Sequence, residues 1–270
     1  MEISKGFSAT FKQKYGPWAL VTGASSGIGA AFCQQLAALG LNVILIGRNK
    51  RKLYALSENI EEEHQVITEI FTTDLSSPIG VQKLIEEIKR VPVGLYVGSA
   101  GFGTSGLFHQ SDLAQEMGML QVNSMALMML TRHFTNAFVE QKRGGIILMG
   151  STVGFQGTPY SSHYAATKAY VQSLAEGLYH ELKPSGVAVL AVAPGPVNSG
   201  FAEVANMQMG NTLQPKDVVL PALKALGKRH TVFPGTLTKI LIAGLRTVPR
   251  WGKIRIMKLV MGGMTKHQNP

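Results

Sequence analysis

Short apolar runs alternate with helix-spaced segments along most of this chain. Trp18–Thr22 is the first run, followed by a glycine-rich turn and a helical pattern over Ala30–Leu39. Further buried strands are predicted at Asn42–Ile46, Gln65–Phe71, Val93–Val97, Gly145–Met149 and Val187–Ala193. The intervening segments Lys50–Glu63, Pro78–Lys89, Asp112–Val139 and Tyr160–Leu182 read as helices, the third of them rich in methionine. Val187–Ala193 holds no ionisable residue, as expected of a strand covered on both faces. After Pro194 the pattern loosens into a helix at Pro215–Leu226, a short strand at His230–Phe233 and a helix at Thr236–Arg246. Strand–helix alternation of this kind predicts an α/β fold: one doubly wound parallel sheet with helices on both faces and a helical C-terminal tail.

Composition narrows the class. The 270 residues are 45% hydrophobic and 16% charged, with 30 glycines and 12 prolines spread along the chain. That composition suits a globular core and excludes collagen-like or low-complexity chains. A single cysteine, Cys33, excludes an intrachain disulfide framework and a cysteine-based zinc site. Met1–Thr10 has no apolar run, and no stretch of 18 uninterrupted apolar residues occurs, so neither a secretory signal nor a spanning helix is expected. The expected location is the cytoplasm. The formal charge of +10 is concentrated: eleven Lys/Arg and one acid, Asp217, lie between Lys216 and Lys266, and the rest of the chain balances. A nucleic-acid partner is not expected, because the tail offers only Trp251 for stacking.

The turn Gly23-Ala24-Ser25-Ser26-Gly27-Ile28-Gly29 joins the first strand to the first helix. Glycines there let the backbone approach a diphosphate, which the helix N-terminus favours. Tyr164 and Lys168 stand four residues apart on the helix after the fifth strand, so they share a face. Ser151 closes that strand thirteen residues before Tyr164, and Asn123 lies within the long preceding helix. These motifs resemble those of the short-chain dehydrogenase/reductase family over roughly Tyr15 to Gly235. The opening Tyr15-Gly16-Pro17-Trp18 is similar to its ketoacyl and hydroxysteroid reductase branch. One departure stands at Gly98 and Ser99, where the family's usual pattern is Asn-Asn before Ala100-Gly101; it touches a structural asparagine contact under the sheet.

The resemblance implies a Rossmann-type domain over 1–235 and a catalytic set of Asn123, Ser151, Tyr164 and Lys168. It also implies cofactor contacts from the glycine turn, Asp74 at the adenine, Ala100, Gly101, and Pro194, Gly195 and Val197 beside the nicotinamide. Tyr164 would be the acid–base group, its phenol lowered from about 10 by the Lys168 ammonium. Ser151 would hold the substrate oxygen, Lys168 the nicotinamide ribose, and Asn123 a relay water. The second strand ends in Gly47-Arg48-Asn49 with no acid. A guanidinium there suits a 2′-phosphate, so NADP(H) is favoured over NAD(H). The expected reaction interconverts a carbonyl and an alcohol. The alternative is a catalytically inactive NADP-binding sensor or scaffold, which loss of Tyr164 would have favoured.

The lid expected at 198–214 carries Phe201, Val204, Met207, Met209 and Leu213, pointing to a small hydrophobic lipid-like, acyl or steroid-like substrate or else to core packing. Methionines 117, 119, 125, 128 and 129 read as core or subunit-interface packing, and His163 as a wall or surface residue. The two long helices are where relatives build an interface, so a homodimer or homotetramer is expected. The C-terminal extension 236–270 alternates Lys253, Arg255 and Lys258 with Ile254, Ile256, Met257, Leu259 and Val260. It either lies in an anionic membrane interface or packs on the domain or a partner subunit.

Overall fold

Strands β1 (Trp18–Thr22), β2 (Asn42–Gly47), β3 (Thr68–Thr72), β4 (Val93–Gly98), β5 (Gly144–Met149), β6 (Val187–Val192) and β7 (Thr231–Val232) form one parallel sheet in the order 3-2-1-4-5-6-7. This computed structural model describes residues 4–268. The first three residues of the N-terminal segment and the last two of the extension lie outside the described residues.

Alternation along each strand divides the core. Ala19 and Val21, Leu45, Leu95 and Val97, and Leu190 and Val192 face one layer. That layer contains α2 (Gly27–Ala38), α3 (Lys50–His64) and α9 (Pro215–Ala225), through Phe32, Leu36, Leu53, Val218 and Leu223. Leu20, Ile44, Ile46, Tyr96, Ile146 and Leu148 face the other layer. There α4 (Pro78–Ile88), α6 (Leu127–Gln141) and α7 (Ser162–Leu182) contribute Leu84, Phe134, Phe138, Val171 and Ala175. Both faces of the central strands are covered, which is why their sequences read as continuous apolar runs.

The helix expected over Asp112–Val139 is interrupted. It runs as α5 (Leu113–Leu120), a π-helical turn over Gln121–Ala126, and then α6. The turn carries Asn123, whose side chain anchors the strand-to-helix loop at Phe102, so the helix changes pitch at a site residue. Gln65, expected in a strand, instead ends α3 with φ 54°, and β3 begins at Thr68.

An N-terminal helix, α1 (Lys5–Tyr15), was not expected. Its signal was present in Phe7, Phe11 and Tyr15 at four-residue spacing. Phe11 and Tyr15 are buried in the first core layer, and Arg143 donates to the carbonyls of Gln13 and Gly16 at 3.3 and 2.7 Å. After α8 (Phe201–Val204) and α9, the chain ends in α10 (Thr236–Arg246) and α11 (Arg250–Met264). Phe11→Ala is expected to lower unfolding free energy by about 3–5 kcal/mol, read by urea denaturation.

Candidate active site

The glycine turn leaves β1 where the strand order reverses between β1 and β4, the crevice position of doubly wound sheets. Gly23 has φ +70°, and a Cβ there would lie 2.8 Å from Ala100 Cα. A Cβ on Gly29 would lie 2.2 Å from the Gly23 carbonyl oxygen. Turn, helix and neighbouring loop therefore approach too closely for side chains. Asn49, Ser77 and Asp112 cap α3, α4 and α5 with side-chain oxygens, whereas Ser26 before α2 makes no such cap. Glycine cradle and uncapped helix start together fit a dinucleotide's diphosphate.

The other expected cofactor positions line the same carboxyl-end edge. A Cβ on Gly47 would lie 3.5 Å from Ser25 Oγ, so the turn meets the end of β2 beside exposed Arg48. Asp74 follows β3, where its Oδ1 accepts from the Ser76 N–H (3.0 Å) and Ser76 Oγ (2.9 Å). The backbone bond, with the Ser76 hydroxyl and the Arg48 charge, holds this carboxyl below the usual range. Ala100 and Gly101 follow β4, and Pro194, Gly195 and Val197 follow β6. The Pro194 carbonyl accepts from Thr152 N–H at 3.1 Å, tying that loop to the one that carries Ser151.

The departure at Gly98 has a physical explanation that sequence reading missed. A Cβ there would lie 2.9 Å from the hydroxyl of Tyr96, a fully buried residue whose phenol lies beside Thr22. Thr22 Oγ1 accepts from the N–H groups of Ser99 and Ala100, both at 3.1 Å. A tyrosine–threonine pair thus stands under the sheet end where the family's usual side chain would otherwise project.

Asn123, Ser151, Tyr164 and Lys168 converge. Asn123 Nδ2 donates to the Phe102 carbonyl (2.8 Å) and Thr167 Oγ1 (3.1 Å), and its Oδ1 accepts from Phe102 N–H (3.1 Å). Oδ1 keeps a second acceptor site. Ser151 is near enough to the Tyr164 phenol to pull its titration down, and Lys168 Nζ donates to the Met149 carbonyl at 2.8 Å while standing 5.8 Å from the centre of the Tyr164 ring. The titration differs from the expectation of a lowered phenol. Burial pushes Tyr164 up, against a smaller downward pull from the Ser151 hydroxyl. Burial also brings Lys168 down to about 8.

The segment expected to form the lid contributes to the burial of Tyr164. Val197 pairs with Leu213 at its base, and Phe201 of α8 packs on the Tyr164 ring with centroids 5.1 Å apart. Ala205 and Met207 are buried against Met261 of α11, with Tyr160, Phe201, Met209, Met257 and Met264 around them. Glu116, which sequence reading also missed, is 5% exposed, and its Oε2 lies 2.6 Å from His163 Nδ1. A lone acid in a helix usually reads as solvated; only the packing of α5 on α7 shows its partner.

The short chain dehydrogenase family matches residues 17–210. The 7beta-hydroxysteroid dehydrogenase of Clostridium sardiniense is 32% identical over 233 residues, covering 85% of this chain and 89% of that protein. The very-long-chain 3-oxoacyl-CoA reductase of Meyerozyma guilliermondii is 33% identical over 232 residues, covering 82% and 68%. Among solved structures, a 7beta-hydroxysteroid dehydrogenase superposes with a TM-score of 0.84 at 28% identity, covering 92% of this chain and 98% of that one. A short-chain dehydrogenase from Sphingobium yanoikuyae in complex with NADPH gives 0.77 at 30%, covering 85% and 93%.

Fold and site define a nicotinamide-dependent oxidoreductase. The chain belongs to the short-chain dehydrogenase family, whose enzymes act between CH–OH and C=O groups. Phe201→Ala is expected to return the Tyr164 phenol toward its ordinary value of about 10. Titration by NMR with ring-labelled tyrosine, with Tyr164→Phe to assign the signal, checks this.

Proposed function

We propose that this protein is an NADP(H)-dependent reductase of hydrophobic, lipid-like ketones, steroid-like or acyl in character. The observation that carries the reading is the meeting of Ser151, Tyr164 and Lys168 under an apolar, methionine-rich lid. The names of the steroid and acyl-CoA relatives support the substrate class.

The residues that would hold the cofactor are the Gly23–Gly29 turn, Arg48, Asp74, Ala100, Gly101, Tyr164, Lys168, Pro194, Gly195 and Val197. Arg48, with Ser25 close to the end of β2, suits a 2′-phosphate, and no carboxylate stands directly at that strand end to repel it. When bound, the reduced nicotinamide supplies the hydride. Tyr164, its phenol kept protonated by burial, holds the proton that its oxygen passes to the substrate carbonyl oxygen. Ser151 orients that same oxygen. Lys168 carries the ammonium that stabilises the phenolate left behind, and the free acceptor site of Asn123 Oδ1 is where a relay water would sit.

A homodimer or homotetramer is part of this proposal. Its support is the apolar strip Leu113, Met117 and Leu120 exposed on α5, with Met125 exposed in the π turn; Met119 is core.

Tyr164→Phe is expected to leave NADPH binding within about twofold and to reduce ketone turnover by at least about 100-fold. Fluorescence titration and a ketone panel check this; cofactor binding without turnover by the wild type would instead favour a sensor. Arg48→Ala is expected to weaken NADPH by about tenfold, equivalent to ~1.4 kcal/mol, while leaving NADH nearly unchanged. Paired titrations measure the ratio.

A further inference from the structure

The C-terminal helices present two chemically different faces. On α11, Ile254 and Met257 are half-buried and Met261 is buried. A Cβ on Gly157 would lie 3.6 Å from Ile254, while Met261 packs on Ala205 and Met207 of the lid. The end of the helix is tied down as well. Gln208 N–H donates to the Met264 carbonyl at 2.9 Å, and His267 Nε2 lies 3.0 Å from Asn206 Oδ1. Gln268 Nε2 donates to Ser105 Oγ at 2.8 Å. This face is a strap across the substrate lid.

The opposite face has no such cover among the described residues. Trp251 is 63% exposed and Leu259 78%, with Ile256 and Val260 beside them at helical spacing. On α10, Leu237, Ile240 and Leu241 are each more than half exposed, while Thr238 and Ile242 point inward. Seven Lys/Arg and no acid lie between 236 and 268. Lys239, Arg246, Arg250, Arg255 and Lys258 are exposed, with the Arg255 guanidinium 5.1 Å from the Trp251 ring centre.

Exposed apolar side chains at this density mark an interaction surface. Its charge selects the occupant. A second copy meeting this face about a two-fold axis would bring cations against cations, with no acid from the segment to neutralise them. A bilayer carrying anionic headgroups accepts both components: aliphatic and indole groups at the acyl boundary, and Lys/Arg among the phosphates.

We infer that α10 and α11 dock this protein on the surface of an anionic lipid bilayer. Because the inner face of α11 straps the lid, docking sets the lid one helix diameter, about 10 Å, from the lipid. In that position an apolar substrate can pass from the bilayer to the lid without crossing water. The consequence for substrate entry rests on the reading under Proposed function; the docking itself does not.

The test is vesicle flotation of the full chain without substrate, at low and high salt. The vesicles are phosphatidylcholine alone or mixed with phosphatidylglycerol. The expected result is a partition at least about tenfold stronger into the anionic vesicles, reduced by salt. The double variant Trp251→Ser/Leu259→Ser changes only exposed positions and is expected to lose about tenfold in partition while its NADPH affinity and thermal midpoint stay unchanged. No binding to anionic vesicles at low salt, equal binding to neutral ones, or an unaffected double variant would each overturn the inference. So would light scattering in which this variant turns an oligomer into a monomer without any vesicle binding, which assigns the face to a second copy. Vesicle binding by a protein that reduces no ketone would retain the docking and reject the function.

Discussion

Lys168 is 5% exposed, and its ammonium is held by a carbonyl oxygen at the end of β5. A charged group so placed is tolerated only when its donors are directed, and the direction here comes from the sheet. β5 presents the Met149 carbonyl, α7 returns across it, and Tyr164 one helical turn earlier is brought to Ser151 at the same strand end. Moving β5 or α7 by one residue would separate all three. The long helix after β5, the serine that closes the strand and the π turn holding Asn123 answer to this one placement.

The lid adds a second level of control. By packing Phe201 on Tyr164 it helps keep water from the phenol; burial raises the phenol and lowers Lys168, so the two groups move apart in proton affinity. In the proposed function the phenol keeps the proton it would donate to a carbonyl, and the neighbouring ammonium is the group that would restore it. The lid in turn is packed against α11, so the chemistry and the outer surface of the C-terminal helices are mechanically adjacent.

Tyr96 and Gly98 show how such a framework absorbs change. The tyrosine hydroxyl reaches Thr22 through space that a side chain at position 98 would fill, while Thr22 still anchors the loop carrying Ala100 and Gly101. A polar junction under the strand ends is retained with different side chains.

The strand–helix alternation, the glycine turn and the spacing of Ser151, Tyr164 and Lys168 were legible in the sequence, because each is a local pattern: period two, period 3.6, or a φ requirement. The apolar runs also announced a sheet covered on both faces. Helix α1 was legible too, in Phe7, Phe11 and Tyr15, but a helix of mixed polarity declares itself only once there is a sheet to cover. The π turn at Asn123, the Glu116–His163 pair and the Tyr96–Thr22 junction had no local signal. Each depends on residues brought together from distant segments. The titration of the site was likewise beyond sequence reading, because chemical neighbours predict a lowered phenol and only the packed fold makes desolvation the larger effect. Sequence determined which groups could do the chemistry and in what order along the sheet. Tertiary structure decided how dry they are, since burial is a property of what folds over a residue and not of the residue itself.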